Sequence, residues 1–187
     1  AGVGAMTAVI ADELSEETIE GVISGLTVDI GNSNSARQVV LSGEAGAIAE
    51  AEERLRAALN APGLRFVRLN VSAPFHSRLL EPICEPFREI LGEWGGSLDA
   101  ERAGRVVSNY RGGFHTGGRG EIIDNLILQI SHTVKWKQNM TLLASQAGSI
   151  WEIGPGRPLR DFFRTIGVTC TSVTALASAE KAFSTTD

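Results

Sequence analysis

Between Gly4 and Val71, four short runs rich in Val, Ile and Leu alternate with two stretches of helical periodicity, in the order βαββαβ. That order over about seventy residues leaves few folds open, and the split βαβ, ferredoxin-like plan is the one it fits. "GAMTAVI", from Gly4, is apolar and β-branched, as a buried strand requires. Ser15 then opens a helix, with Glu16 and Glu17 in the first turn, where the helix dipole favours anions. Ile19, Val22, Ile23 and Leu26 recur at helical spacing on one face of it. "LTVDIGN" and "RQVVLSG" read as strands joined through the polar turn "NSNSA". "EAGAIAEAEERLRAALN" reads as a second helix, with Ile48, Leu55 and Leu59 inward and its charges outward. "LRFVRLNV" reads as the fourth strand, which puts a boundary near Asn70.

The rest of the chain follows a different plan. Ser77 to Trp94 reads as one helix with Leu80, Ile83, Phe87 and Leu91 on one side. "GRVVSN" reads as a short buried strand, and "RGGFHTGGRG" as a loop with five glycines in ten residues. Helices are expected at Ile122–Ile130 and at Val134–Ala147, with Trp136, Met140 and Leu143 on the inner face of the second. "SIWEIG" reads as a strand and "RPLRDFFRTIG" as a helix turning Leu159, Phe162, Phe163 and Ile166 inward; "VTCTSVTAL" reads as a last strand. Alternating strands and helices suggest parallel βα units. The fold class expected is α/β, with an α+β small subdomain at residues 1–70 and an α/β portion at 71–187. Three strands make a narrow sheet there, and Trp136, Met140, Phe162 and Phe163 carry more apolar surface than it can cover. The chain also starts at Ala1, almost inside a strand. It reads as part of something longer.

Composition narrows the function classes. With 17 basic and 22 acidic side chains the net charge is −5, which argues against a nucleic-acid partner. There is no run of eighteen apolar residues and no basic leader. The two cysteines, Cys84 and Cys170, lie far apart with no CxxC, which suits a reducing, cytoplasmic setting and forms no zinc pattern. His115 and His132 have no metal-ligand spacing either, so no metal is expected. Cys84 lies about two helical turns from His76, poor geometry for a nucleophile pair. "GPGRP" lacks the Gly-Lys-(Ser/Thr) of a phosphate loop and reads as a strand-to-helix turn.

His76 is the residue that stands out: one of three histidines, it sits where an apolar strand meets an amphipathic helix. From spacing alone, two roles fit. It is either a polar residue satisfied at a helix start, or a general base held at a junction and needing a nucleophile and an orienting partner.

The surrounding motif, "NVSAPFHSRLLEP", resembles the histidine motif of malonyl-CoA:acyl-carrier-protein acyltransferases and of polyketide synthase acyltransferase domains. The resemblance continues through "GAMTAVI", "NSNSARQVVLSG", "VVSN", "LILQISHTVKW" and "WEIGPGRPL", in the family's order and over nearly the whole chain. It implies a ping-pong transfer of malonyl from CoA to a carrier protein's phosphopantetheine, with no bound cofactor. His76 would be the general base, and the backbone carbonyl of Gln129 would orient it. Phe75 resembles the Phe that precedes the histidine in malonyl-selective members; core packing is its other reading. Asn34 and Gln38 would face the cleft and line the pantetheine path, or cap a hairpin turn. Asn109 would approach the acyl group or cap the loop after its strand. Arg65, Arg68, Arg111, Arg119, Lys135 and Lys137 could dock an acidic carrier, or form an ordinary mixed-charge surface.

The resemblance also shows what is missing. The family's nucleophilic serine sits in a Gly-x-Ser-x-Gly elbow, and no such motif occurs in this chain. The nearest run, Gly31-Asn32-Ser33-Asn34-Ser35, has no strand-elbow-helix context. In the family the serine, the carboxylate-binding arginine and the oxyanion-hole glutamine all precede the strand that "GAM" resembles. The expectation is therefore the C-terminal segment of such an enzyme: a small subdomain plus the C-terminal half of an α/β-hydrolase-like acyltransferase subdomain. It would be inactive alone and would need an N-terminal half carrying the serine. The alternative is a non-catalytic relic that still binds the carrier.

Overall fold

The computed structural model describes residues 4–184, and the chain divides into two compact units, Ala1–Asn139 and Met140–Asp187. The boundary expected near Asn70 lies inside the first.

The first unit begins with β1 (Gly4–Ile10), α1 (Glu16–Ile23), β2 (Val28–Ser35), β3 (Gln38–Glu44), α2 (Ala45–Ala58) and β4 (Arg65–Arg68). The four strands form one sheet in the order β2-β3-β1-β4, and every neighbouring pair is antiparallel. Alternation along the strands decides what each face buries. Val9, Val39 and Leu41 face Ile19, Ile48 and Leu55 of the two helices, and all six are fully buried. Met6, Ala8 and Val40 point to the opposite face, with Ile10 and Leu69 against them. Ser15 caps α1 by accepting from the Thr18 amide at 3.2 Å. "NSNS" is not the turn: it completes β2, and only Ala36 and Arg37 turn the hairpin. The strand carries two bulges, which place Gly31 and Asn34 out of register with β3. A bulge lets a polar stretch stay in a ladder that strict pairing would end.

Residues 77–94 do not form one helix. A 3₁₀ segment, Arg78–Ile83, precedes α3 (Cys84–Trp94). Pro82 explains the break: it has no amide to donate, and its ring disfavours an α conformation in the residue before it. Then come α4 (Ala100–Ala103), β5 (Val107–Ser108), β6 (Gly113–Phe114), α5 (Arg119–Ser131) and α6 (Trp136–Gln146). The expected set of parallel strands does not extend to β5. It pairs antiparallel with β6, which arises from the glycine-rich stretch. Gly112, at φ 73°, takes the left-handed conformation that closes this tight hairpin, and its amide reaches the Ser108 carbonyl at 3.0 Å.

The second unit holds β7 (Ile150–Ile153), α7 (Pro158–Arg164), β8 (Cys170–Val173) and α8 (Leu176–Phe183). β7 and β8 are parallel. Met140 and Phe163 are buried, but Trp151, Ile153, Leu176 and Phe183 of the same unit are exposed, so apolar surface does remain uncovered there; Ile166 lies beyond the end of α7 and is exposed too. α8 was not expected from the sequence. Its start is held by the Ser178 hydroxyl, which accepts from the amides of Thr174 and Ala175 at 3.1 and 3.0 Å.

The "WEIGPGRPL" stretch has a clear structural logic. α7 has no cap on its own N-cap residue, Arg157. Instead Glu152, buried in β7, accepts the amides of Leu159 and Arg160 at 2.8 and 3.0 Å and the Ser172 hydroxyl at 3.1 Å. One carboxylate thus ties a strand to the next strand and to the helix between them. We expect Glu152→Ala to destabilise the folded chain by roughly 2–3 kcal/mol, because it strips charge-assisted bonds from three donors at once. Urea unfolding checks this, and a change below about 0.5 kcal/mol would place Glu152 among ordinary surface positions.

Candidate active site

A helix leaves its last carbonyls without partners inside the helix. At the end of α5 these carbonyls are taken up by two histidines. The Leu128 carbonyl lies 2.9 Å from Nδ1 of His132, and the Gln129 carbonyl lies 2.8 Å from Nδ1 of His76. The next carbonyl, that of Ile130, accepts the backbone N–H of His76 at 3.2 Å. His76 and Gln129, 53 residues apart, are therefore brought together as the sequence suggested. A carbonyl can only accept, so Nδ1 of His76 carries the hydrogen in this contact. That leaves Nε2 as a free acceptor.

The chain pays for this placement in backbone conformation. His76 has φ 60°, the one positive φ among the described non-glycine residues. Such a residue costs on the order of 1–3 kcal/mol and persists only where its surroundings over-determine it. The surroundings here do. The Phe75 amide bonds the Ala73 carbonyl at 3.0 Å, and the buried Ser77 hydroxyl donates to the Pro74 carbonyl at 2.7 Å. Gly4 lies so close to the Pro74 ring that a Cβ there would collide with it. At the Gly31 bulge a Cβ would stand 3.2 Å from the Phe75 carbonyl. Beyond the turn, Arg78 grips Asp29 of β2: its backbone N–H and its Nε each donate to the carboxylate at 2.9 Å.

The segment after α5 is fastened to the same sheet. Val134 makes a parallel bridge with Asn32, and the Thr133 hydroxyl donates to the Ile30 carbonyl at 2.6 Å. Both histidine partners of α5 are thus referenced to β2.

His76 lines two cavities. One, of about 480 Å³, is walled almost wholly by apolar side chains, among them Phe75, Leu80, Ile83, Phe87 and Ile130. The other, of about 270 Å³, adds Leu126 and Gln129. Phe75 is 42% exposed in the first cavity, so core packing does not explain it. Asn34, Gln38 and Asn109 line neither cavity. Asn34 is a bulge residue of β2, not a turn cap. Asn109 is occupied by α6: it accepts from Nδ2 of the buried Asn139 at 3.1 Å, and its carbonyl takes the Lys135 amide at 2.7 Å. Asn139 had drawn no attention in the sequence, where nothing marked it as buried.

The remaining candidates resolve simply. The Cys84 thiol lies 3.7–3.8 Å from acceptors at Leu80, Ile127 and Ser131. Among the described residues no group of three or more His, Cys, Asp or Glu could hold a metal, and no helix is long and apolar enough to cross a membrane. Of the basic residues, Arg68, Arg111 and Lys137 have acidic partners at Glu52, Glu121 and Glu16. Asp29 and Arg78 were not foreseen as site residues. Nothing in the sequence links two charges 49 positions apart.

The mixed α/β fold is that of the acyltransferases it resembles, and the relatives agree. The chain is 31% identical over 171 residues to the malonyl CoA-acyl carrier protein transacylase of Bacillus subtilis, covering 89% of this chain and 51% of that one. For the Escherichia coli transacylase the figures are 32% over 175 residues, 91% and 54%. The polyketide biosynthesis protein PksE of Bacillus subtilis is 31% identical over 170 residues, covering 87% of this chain and 21% of that protein. The solved transacylase of Xanthomonas oryzae superposes with a TM-score of 0.82 at 28% identity, over 98% of this chain and 58% of that one. A malonyl-transacylase solved in complex with a type II polyketide acyl carrier protein gives 0.81 at 28%, over 98% and 59%. No family model matches the chain. The chain is thus a homologue of the malonyl CoA-acyl carrier protein transacylases, and it spans about half the length of the curated relatives it matches.

His115 provides a test of the frame that carries α5. It is buried beside the β6 hairpin, and its Nδ1 has no hydrogen-bond partner. Burial lowers its pKa, nearby Arg111 lowers it further, and Glu121 opposes this weakly. The folded state therefore favours neutral His115, and the unfolded state binds the proton more readily. Stability from this residue is present above the unfolded value near 6.5 and is lost as the pH falls below it. Urea midpoints should fall between about pH 7 and 5 more steeply for the parent chain than for His115→Gln. Equal slopes would show that His115 is not the group responsible.

Proposed function

We propose that this chain is the C-terminal segment of a malonyl-CoA:acyl-carrier-protein acyltransferase, with His76 as its general base. The observation that carries the reading is the 2.8 Å contact between Nδ1 of His76 and the Gln129 carbonyl, which leaves Nε2 as the acceptor of the neutral ring in a residue that lines an apolar cavity. Homology to transacylases over most of the chain supports it. On this reading residues 1–70 are a ferredoxin-like small subdomain, and the β2-β3-β1-β4 antiparallel order is what such a subdomain requires. Residues 71–187 are the C-terminal portion of the large α/β subdomain.

The chemistry is acyl transfer in two halves. A serine from an N-terminal half attacks the thioester carbonyl of malonyl-CoA, while Nε2 of His76 removes the hydroxyl proton. The tetrahedral intermediate then expels the CoA sulfur, which takes that proton from His76. In the second half Nε2 removes the proton from the phosphopantetheine thiol of an acyl carrier protein. The sulfur attacks the malonyl-serine ester, and the serine oxygen leaves with the proton. The backbone carbonyl of Gln129 does in this scheme what a buried carboxylate does in a triad: it holds the tautomer and stabilises the imidazolium that forms.

Two outcomes test the reading. The purified chain should transfer no malonyl from malonyl-CoA to a holo carrier protein. Adding a serine-bearing N-terminal half should produce transfer that His76→Ala lowers by roughly 10²–10⁴-fold. Turnover by the chain alone would overturn the reading, and carrier binding without turnover in either case would favour a non-catalytic carrier-binding module. Phe75 bears on the acyl group: its ring fills space that an α-methyl branch would occupy. Phe75→Ser in the assembled enzyme should shift the ratio of methylmalonyl to malonyl kcat/KM upward by about tenfold, as one methyl group allows. An unchanged ratio would remove Phe75 from the selectivity determinants.

A further inference from the structure

We propose that Asp29 and Arg78 form a positioning clamp for His76, one that holds the histidine in its left-handed backbone conformation and so keeps its Nδ1 on the Gln129 carbonyl. The inference rests on the reading of His76 as a base oriented by that carbonyl, and it adds two residues that neither touch the ring nor line its cavities.

The geometry is that of a hinge pinned on both sides. On one side, His76 is held to α5 through its ring and its own N–H, at 2.8 and 3.2 Å. On the other side, the chain must leave a φ of 60° and enter the 3₁₀ segment within two residues. Arg78 is the first residue of that segment, so its N–H has no partner within the segment. Asp29 supplies one at 2.9 Å. The same carboxylate takes the guanidinium Nε at 2.9 and 3.1 Å, as well as Nη2. A fork onto a carboxylate fixes direction as well as distance, which a point charge does not.

Asp29 is well placed for this. It sits in β2 next to Ile30, whose carbonyl receives the Thr133 hydroxyl, and close to the Asn32–Val134 bridge. The strand that Arg78 grips is therefore the strand that locates the end of α5. His76 and its carbonyl partner share one reference, and the two ends of the 2.8 Å contact cannot drift independently.

The pair is not a stability device. The Arg78 side chain is 56% exposed and that of Asp29 is 24% exposed, and exposed ion pairs add little to global stability. A cavity of about 560 Å³ has both residues in its wall, so water reaches them. The effect of the clamp should therefore appear at the His76 ring, with little change in the melting temperature.

That distinction sets the test. Long-range proton–nitrogen correlation spectra of the ¹⁵N-labelled chain report which ring nitrogen of His76 is protonated, with its signals assigned by their loss in His76→Gln. The parent chain should show Nδ1–H and a bare Nε2. In Arg78→Ala and, separately, in the shape-preserving Asp29→Asn, the Nδ1–H to Nε2–H ratio should fall by roughly threefold to tenfold, the effect of losing about one net hydrogen bond. The double variant should add little to either single change, because both break one interaction. Melting temperatures near that of the parent would show that the fold is intact. A parent-like tautomer ratio in both folded single variants would overturn the clamp while leaving His76 as the oriented base. An Nε2–H tautomer in the parent chain would overturn the base reading, and the clamp with it.

Discussion

The structure depends on a mismatch intrinsic to any helix: the carbonyls of its last turn point out of it with nothing to accept. In α5 these groups are answered by His132 and, from 53 residues away, by both the ring and the backbone of His76. A lone histidine at a loop tip can turn its ring and exchange tautomers. Held by a carbonyl that can only accept, its neutral ring has the hydrogen on Nδ1 and leaves Nε2 as the acceptor. The arrangement needs no buried carboxylate, and so avoids the cost of desolvating a second charge beside an apolar cavity.

Everything near the site serves to bring that loop close to the four-stranded sheet without lifting it away. Glycine at positions 4 and 31 permits the approach, one against the Pro74 ring and one against the Phe75 carbonyl. The bulge at Gly31 turns a regular edge strand into a surface that receives both the His76 loop and the chain after α5. The positive φ at His76 is the strain that remains. It is spread over hydrogen bonds from Phe75, His76, Ser77 and Arg78. In the second unit Glu152 works on the same principle at a different place, as one buried acceptor that satisfies backbone donors no local residue could reach.

What could be read in advance was local. The helical spacing of Ile19 and Ile23, and of Ile48 and Leu55, marked the faces that pack on the sheet, and all four are buried. The pairing of His76 with Gln129 was legible only through resemblance, since no periodicity joins residues so distant. The misreadings share a cause. "NSNS" looked like a turn because polar residues usually are one, yet bulges keep it in β2. "RGGFHTGGRG" looked like a plain loop, yet its glycines fold it back on β5 as a hairpin. Pro82 was visible all along as the reason Ser77–Trp94 could not be one helix.

The amino-acid sequence by itself determined most of the helices and strands, though not β6 or α8, which of their faces are apolar, and that a histidine stands just before a helical segment. Those properties follow from periods of 2 and 3.6 residues and from the backbone limits of proline and glycine, and they act over a few positions. Only the tertiary structure decided that β5 turns back on β6, that Asn139 engages Asn109, and that Asp29 meets Arg78. It also decided that Phe75 lines a cavity and that Asn34 sits at a bulge of β2, neither in a turn nor on the cavities beside His76. These are contacts between distant parts of the chain, set by how packed elements close on one another, and no local pattern encodes the distance between them.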